Sequence, residues 1–337
     1  MNKILVTGGA GYIGSHSIID LLEAGYSVVS ADNFINSDRK TYDQIKAVTG
    51  IEVKHYDIDL CDSLDLEKIF QENQIAAIVH FAALKSVGDS VENPLLYYHN
   101  NLAGLINLLR CQEKYEVKNL IFSSSCSVYG NADQLPVTEG TPLKEAESPY
   151  ARTKQICEQI IFDFLNVHPD QRAVILRYFN PAGAHISNLI GESPHNIANN
   201  LIPIITEIAI GKRDRLSVFG SDYPTRDGTC VRDYIYIMDL AHAHTRSVDY
   251  LLKQEPEQAT IINLGSGTGS TVLEVIHSFE KVSGLKLNYK MADRRAGDVI
   301  AVYADYSKAK NLLGWSPQRG LDEIMSSAWS WEQKRNN

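Results

Sequence analysis

The chain has 337 residues, 44% hydrophobic and 22% charged, with a formal net charge of −9 at pH 7. The length suggests two packed units, or one large domain with an appended lobe, and the composition is that of a globular chain with a substantial core. Net negative charge argues against a nucleic-acid partner, which calls for a net-positive face, and no apolar run approaches the ~20 residues of a membrane span.

In chain order, residues 4–6 read as a buried strand that runs straight into a Gly-rich turn, unlike the charged and then apolar start of a leader peptide. Residues 13–24 read as a helix with Gly25 as its C-cap. Further apolar runs at 26–31, 51–56, 76–81, 119–123 and 173–176 read as strands. Short apolar strands separated by helical patterns imply βαβ units and a parallel sheet covered on both faces. Residues 180–200, rich in Pro, Gly, Asn and His, read as irregular. Residues 202–210 read as a helix, 216–219 as a short strand, and 235–240 and 261–264 as returns to the main sheet. The expected fold is α/β: a Rossmann-type doubly wound parallel sheet over residues 1–180, with returns near 235–264, and a smaller α/β substrate-binding lobe drawn mainly from 181–337. The five cysteines (Cys61, Cys111, Cys126, Cys157 and Cys230) are widely spaced without a CxxC. They read as free thiols of a reducing compartment, so a cytoplasmic location is expected. The histidines, among them His80, His185 and His195, have no metal-ligand spacing.

Between the first strand and first helix, Gly8, Gly11 and Gly14 give the spacing G-x-x-G-x-x-G. Glycine is needed where a chain turns tightly and its backbone must approach a pyrophosphate, which the following helix N-terminus attracts with N–H groups and its dipole. Asp32 ends the second strand, where a carboxylate accepts from adenosine ribose hydroxyls and repels a 2′-phosphate. NAD is therefore expected rather than NADP.

Tyr150-Ala151-Arg152-Thr153-Lys154 is Y-x-x-x-K, preceded by Ser148 as N-cap and Pro149 as first helical residue. Positions i and i+4 share a helix face, so Tyr150 and Lys154 project together. A free Tyr has a pKa of ~10, and bringing it to neutrality takes roughly 4 kcal/mol of differential stabilisation, which nearby cations in a water-poor site would supply. Ser123, Ser124 and Ser125 follow a buried strand at the sheet edge where ligands bind in such folds, and a hydroxyl there can relay a proton.

These residues resemble the extended short-chain dehydrogenase/reductases, and within them the UDP-galactose 4-epimerase family. The resemblance covers essentially the whole chain. It rests on VTGGAGYIGSH at 6–16, HFAALKSVGDSVENPLLYYHNN at 80–101, FSSSCSVYG at 122–130, SPYARTK at 148–154, LRYFNPAGAH at 176–185, VRDYIYIMDLA at 231–241 and RRAGDV at 294–299. It implies that Tyr150 takes the proton from the sugar 4-hydroxyl, that Lys154 tunes Tyr150 and binds the nicotinamide ribose, and that Ser125 assists the transfer. A 4-keto sugar would rotate about its link to UDP and be reduced on its other face. The resemblance extends the NAD site to Tyr12, Ile13, Asn33, Asn36, Asp59, Leu60, Phe81, Lys85, Asn100, Tyr178 and Pro181. It assigns UDP to Asn180, Asn200, Leu201, Phe219, Arg232, Arg295 and Asp298. Guanidinium forks suit a diphosphate, and a carboxylate suits ribose hydroxyls. A homodimer is implied through helices at 95–114 and 150–167.

Family members differ four residues beyond the Asp of the RRxGD string, where a Tyr narrows the hexose pocket and a smaller residue leaves room for an N-acetyl group. Here that position is Val302, followed by Tyr303, so UDP-N-acetylglucosamine is an expected further substrate unless Val302 merely packs the lobe or Tyr303 refills the space. A 4,6-dehydratase of this fold carries Asp-Glu after the active-site hydroxyl residue; this chain has Cys126-Ser127, which replaces no carboxylic pair. A UDP-glucuronate enzyme remains an alternative that only substrate assay decides. A non-catalytic NAD-sensing scaffold would be expected to lose Tyr150, Lys154 or Ser125.

Overall fold

Four- to seven-residue apolar runs are too short for a useful helix, and strands covered on both faces lose the polar alternation of a half-exposed sheet. β1 (Lys3–Thr7), β2 (Ser27–Asp32), β4 (Ala77–His80), β5 (Asn119–Ser125) and β6 (Arg172–Tyr178) are of this kind, and all are buried along nearly their whole length. In the computed structural model, which describes residues 2–194, 198–254, 257–295 and 299–336, they join β3 (Lys54–Asp57) and β11 (Ala259–Leu264) in one seven-stranded sheet of order β11-β6-β5-β4-β1-β2-β3. Every pairing in it is parallel. The more exposed, polar β3 sits at the edge. Strand order reverses between β1 and β4, and ligands of doubly wound sheets bind at the carboxyl ends beside such a switch.

Helices cover both faces. α1 (Tyr12–Glu23), α2 (Lys40–Thr49), α9 (Ile237–Lys253) and α11 (Ser307–Leu313) bury Ile18, Ile45, Leu240 and Leu313 on one side. α3 (Ser63–Glu72), α6 (Gly104–Lys114) and α7 (Pro149–Val167) bury Leu66, Leu108 and Ile161 on the other. Before α6, α4 (Val87–Glu92) and α5 (Pro94–Tyr98) run into a π-helical turn at His99–Ala103, so the helix expected at 95–114 is not a straight α-helix. Gly25, at φ +87°, follows the C-cap residue Ala24 rather than being it.

The second lobe packs α8 (Leu201–Ala209), α10 (Val272–Ser283) and α12 (Leu321–Arg335) around Ile205, Ile276, Phe279 and Met325. Its strands are short: β7 (Asn180–Ala182) with β10 (Tyr234–Tyr236), β8 (Leu216–Phe219) with β13 (Tyr289–Ala292), and β9 (Val231–Arg232) between β12 (Ser270–Thr271) and β14 (Ala301–Val302).

Two expectations are corrected. The strand placed at 51–56 lies at Lys54–Asp57, because the Gly50 cap of α2 and Ile51 precede it in open chain. Residues 235–240 do not return to the main sheet: Tyr234–Tyr236 pairs with Asn180–Ala182, and the chain then turns into α9, which packs on α1. The return at 261–264 is real, as β11 beside β6. The segment read as irregular contains one three-residue strand, β7, at its start.

Candidate active site

The Gly-rich turn is a cradle that side chains would fill. Gly8 has φ +72°, and a Cβ there would lie 2.7 Å from the Ala82 nitrogen. A Cβ on Gly14 would lie 2.2 Å from the Gly8 carbonyl oxygen. Gly11 is the N-cap of α1, and no side chain caps that helix or places an acid in its first turn. The first N–H groups are thus left for an anion. A dinucleotide pyrophosphate fits this arrangement of bare backbone and helix dipole.

Asp32 lies buried at the end of β2. Its carboxylate accepts from the Ala10 N–H at 3.0 Å, the Phe34 N–H at 2.9 Å and the Ser37 hydroxyl at 2.8 Å. An ionised carboxylate offers about four acceptor positions, so one remains for a ribose hydroxyl. Asn33 donates to Asp59 at 3.1 Å, and the Cys61 N–H donates to the other Asp59 oxygen at 2.8 Å. Burial pushes the Asp59 carboxyl up, but these hydrogen bonds outweigh it and hold the group below its ordinary range. The Leu60 carbonyl accepts from Asn107 at 3.0 Å, and Asn36 is exposed in the loop after β2. The Tyr12 hydroxyl donates to the Gly183 carbonyl at 2.7 Å, so that side chain ties α1 to the second lobe.

At the ends of β4 and β6, the Phe81 and Tyr178 rings share His244, at centroid distances of 4.7 and 5.8 Å. Lys85 is exposed, and Asn100 sits in the π-helical turn. Asn101, beside it, escaped notice in the sequence. Its side chain accepts from the Leu84 N–H and Asn100, and donates to the Leu84 carbonyl and the Thr153 hydroxyl, at 2.8 to 3.1 Å. It thereby ties the residue before Lys85, Asn100 and the residue before Lys154 into one clasp.

Ser148 caps α7 by accepting from the Ala151 N–H, with Pro149 in the first turn, as the sequence implies. Lys154 is 4% exposed, and its ammonium donates to the Ser123 carbonyl at 2.7 Å and lies 4.9 Å from the Phe122 ring. Burial lowers its pKa, against the thiol of Cys157 and the carboxylate of Glu158. Burial pushes the Tyr150 phenol up to about 12, opposed by its hydrogen bond with Ser125. The Ser125 oxygen also accepts from the Ser127 N–H at 3.2 Å, which starts a 3-10 turn over Cys126–Tyr129. Burial raises the Cys126 thiol to about 12, so it is no thiolate nucleophile. His80 is buried against the Thr7 hydroxyl at 2.7 Å, and burial, with the Lys154 charge, lowers it to about 3; it stays neutral. Among the described residues no His, Cys, Asp and Glu cluster could hold a metal.

Of the second-lobe residues, Arg232 donates to the Val231 and Val299 carbonyls at 2.9 and 2.6 Å, and its register partner across β9 and β14 is Val302. Val302 packs against the cluster of Val128, Tyr129, Val137, Phe179 and Ala304, with Cys126 on the same cluster. The Tyr303 side chain lies against Gly269, whose added Cβ would be 3.3 Å from the Tyr303 Cβ. The Arg295 guanidinium lies 4.5 Å from the Phe219 ring centroid. Asn200 is the exposed N-cap of α8, begun by Leu201, and donates to Glu192 at 3.1 Å. Asn180 and Pro181 lie in β7 against Tyr234 and Ile235. Asp298 and His195 lie outside the described residues.

A doubly wound parallel sheet, a Gly-rich turn at its switch point, and Tyr150, Lys154 and Ser125 gathered at the carboxyl end of β5 define an extended short-chain dehydrogenase/reductase. Residues 5–328 match the family model described as GDP-mannose 4,6 dehydratase. The chain is 48% identical over 334 residues to the UDP-glucose 4-epimerase of Bacillus subtilis, covering 99% of this chain and 98% of that protein. It is similar to the crystal structure of the Bifidobacterium longum UDP-glucose 4-epimerase in complex with NAD+ and UDP, with a TM-score of 0.95, 44% identity, and coverage of 100% of this chain and 99% of that one. The UDP-Glc/GlcNAc 4-epimerase of Campylobacter jejuni matches with a TM-score of 0.86 and 38% identity, over 99% of this chain and 100% of that one. The chain belongs to the UDP-glucose 4-epimerase family.

Proposed function

We infer that the chain is an NAD-dependent UDP-hexose 4-epimerase that interconverts UDP-galactose and UDP-glucose through a transient 4-keto sugar. The observation that carries this reading is the buried Lys154, one helical turn after Tyr150, whose ammonium donates to the Ser123 carbonyl two residues before Ser125, at the sheet edge that also carries the uncapped α1. Cys126 and Ser127 in place of a carboxylic pair argue against dehydration.

The cofactor would be held by the Gly8–Gly14 turn, Asp32, Asn33, Asn36, Asp59, Leu60, Phe81, Lys85, Asn100, Lys154, Tyr178 and Pro181. When bound, NAD supplies the hydride acceptor and donor for sugar C4 and a positive ring. Tyr150 would take the proton of the 4-hydroxyl and return it to the 4-oxygen after the keto sugar has turned over, with Ser125 as the hydroxyl that passes it. Lys154, which donates to the Ser123 carbonyl, would supply the positive charge that favours the phenolate. Arg232, Arg295, Asn180, Asn200, Leu201, Phe219 and Asp298 hold UDP, so that the hexose alone is free to turn over.

Val91, Leu95 and Leu96 on α4 and α5 are exposed at 61%, 82% and 49%, and α5 packs on α7. An apolar patch of this kind marks an interaction surface, and we assign it to a homodimer. Sedimentation at micromolar concentration is expected to give twice the 37.5 kDa chain mass; a monomer would count against it. All five cysteines are free, which supports the reading of a cytoplasmic enzyme, and among the described residues no helix is long and apolar enough to cross a membrane.

Incubation of the purified protein with UDP-galactose, without added NAD, tests the main reading. NMR of the anomeric signals is expected to show UDP-glucose; no conversion even after NAD is added would overturn it. Because Val302 stands where a Tyr would narrow the pocket, UDP-N-acetylgalactosamine is expected to convert as well. Val302→Tyr should lower that second activity by about tenfold or more while sparing the first.

A further inference from the structure

Behind the reacting groups lies a buried ion pair that the reaction as described does not use. Glu158 follows Lys154 by four residues and Tyr150 by eight, so it is a third polar group on one face of α7. It is 1% exposed, and Arg177 of β6 is 2% exposed. Taking two charges out of water is costly, and apolar residues of the same size often fill such a place at no loss of stability. The fork here is fully engaged. Arg177 Nε donates to Glu158 Oε1 at 2.9 Å, and Nη2 donates to Oε2. Nη1 donates to the Tyr129 hydroxyl at 3.1 Å, which donates to Asn263 at 2.6 Å. The Ser124 hydroxyl donates to the same Glu158 Oε1 at 2.5 Å.

Ser124 and Arg177 are register partners on β5 and β6. One carboxylate therefore draws two strand ends and α7 together. Each member adjoins a residue of the site: Ser124 precedes Ser125, Arg177 precedes Tyr178, and Glu158 lies one turn beyond Lys154. A bidentate guanidinium–carboxylate contact fixes orientation as well as distance. Burial disfavours the Arg177 charge, but the Glu158 carboxylate overrides it and holds the guanidinium charged.

We propose that Glu158, Arg177 and Ser124 form a positioning clamp that sets α7 against the end of β5, and thereby sets Tyr150 and Lys154 against Ser125. None of the three touches the reacting atoms; they act through their neighbours. The turnover arm of the test rests on the epimerase reading, and the cofactor arm does not.

The test compares Glu158→Gln, Arg177→Met, the double variant Glu158→Leu/Arg177→Met, and Ser124→Ala, reading Tm, kcat and KM for UDP-galactose with NAD in excess. Each charge-breaking single variant should lower Tm by several degrees, and the double variant should recover it to within about 3 °C. Its kcat should nevertheless be lower by about 10- to 100-fold, as for a misplacement of reacting groups near 1 Å, with KM within about twofold. Parental kcat in a double variant of parental Tm would overturn the clamp, as would a change confined to KM. If the double variant stays unstable, Ser124→Ala decides, since it removes one donor and no charge. Its Tm should hold and its kcat fall by about 3- to 10-fold, and an unchanged kcat would overturn the proposal. The share of chains that retain NAD through gel filtration should fall by about half or more in the same variants, because Lys154 moves with the clamp. If the parent protein proves inert on UDP-galactose, the epimerase reading fails, and parental NAD retention in the variants would then overturn the clamp.

Discussion

Replacing Tyr150 with Phe is expected to lower kcat for UDP-galactose by about 10²- to 10⁴-fold, the range lost when a positioned acid–base group is removed. KM and NAD retention should be nearly unchanged, because the variant loses one hydroxyl but keeps the ring on α7. Residual activity above one tenth of the parent would mean that another group takes the proton. The pH profile supplies the second half of the argument. In the proposed role Tyr150 acts as a base when ionised, so activity is expected to rise with pH through its titration. Burial pushes the phenol up to about 12, and the span from there to neutrality is worth roughly 7 kcal/mol. That exceeds the span from a solvent-exposed phenol, so burial makes the cationic surroundings of the bound state matter more. Lys154→Met removes one cation and should move the rising limb of kcat/KM to higher pH. A limb that stays in place, measured between about pH 6 and 9, would mean that Lys154 serves only to hold the cofactor.

The parts of this site that were legible in the sequence are those whose chemistry is local. The Gly8–Gly14 turn, Asp32 at a strand end, and Tyr150 with Lys154 one turn apart each declare themselves within a few residues, and the structure gathers them at one sheet edge. The small sheets were less legible because strands of two or three residues are shorter than a period-2 pattern needs to show itself. The run at 235–240 misled for a related reason: Ile235, Tyr236 and Ile237 alternate like a strand, but the chain is extended only through Tyr236. Asp239, in the first turn of the helix that follows, was the available sign of a helix start, and its carboxylate also accepts from the Gln318 and Arg319 N–H groups. Long-range pairings were invisible. Nothing in the sequence joins Phe219 to Arg295, or Asn101 to Leu84 and Thr153. Arg177 could have been flagged as a charge in an otherwise apolar buried strand, and Glu158 as the next polar residue on the Tyr150 and Lys154 face.

The glycines of the first turn separate two requirements that sequence spacing treats as one. At Gly14 the absent Cβ makes room for the protein itself: the atom would meet the Gly8 carbonyl at 2.2 Å and the Gly9 Cα at 2.9 Å, and backbone cannot swing aside. Gly14→Ala should therefore force the turn open, lowering stability by about 1–3 kcal/mol, as overpacking does. NAD affinity should fall with it, by about 100-fold or more, since the N–H groups that face the pyrophosphate are displaced. At Gly11 the protein asks for nothing of the kind. Its φ of −73° suits any residue, and a Cβ would meet only the Gly8 carbonyl, at 3.2 Å. Gly11→Ala should leave Tm close to the parent, because a compatible Gly→Ala change costs little and restricts the unfolded chain. It should still lose NAD, because at the N-cap the added methyl stands where a pyrophosphate must approach the backbone. Thermal unfolding and NAD content, measured side by side, distinguish the two. If Gly11→Ala retains its cofactor, then Gly11 shapes the turn rather than admitting the ligand, and Gly8 and Gly14 alone account for the spacing.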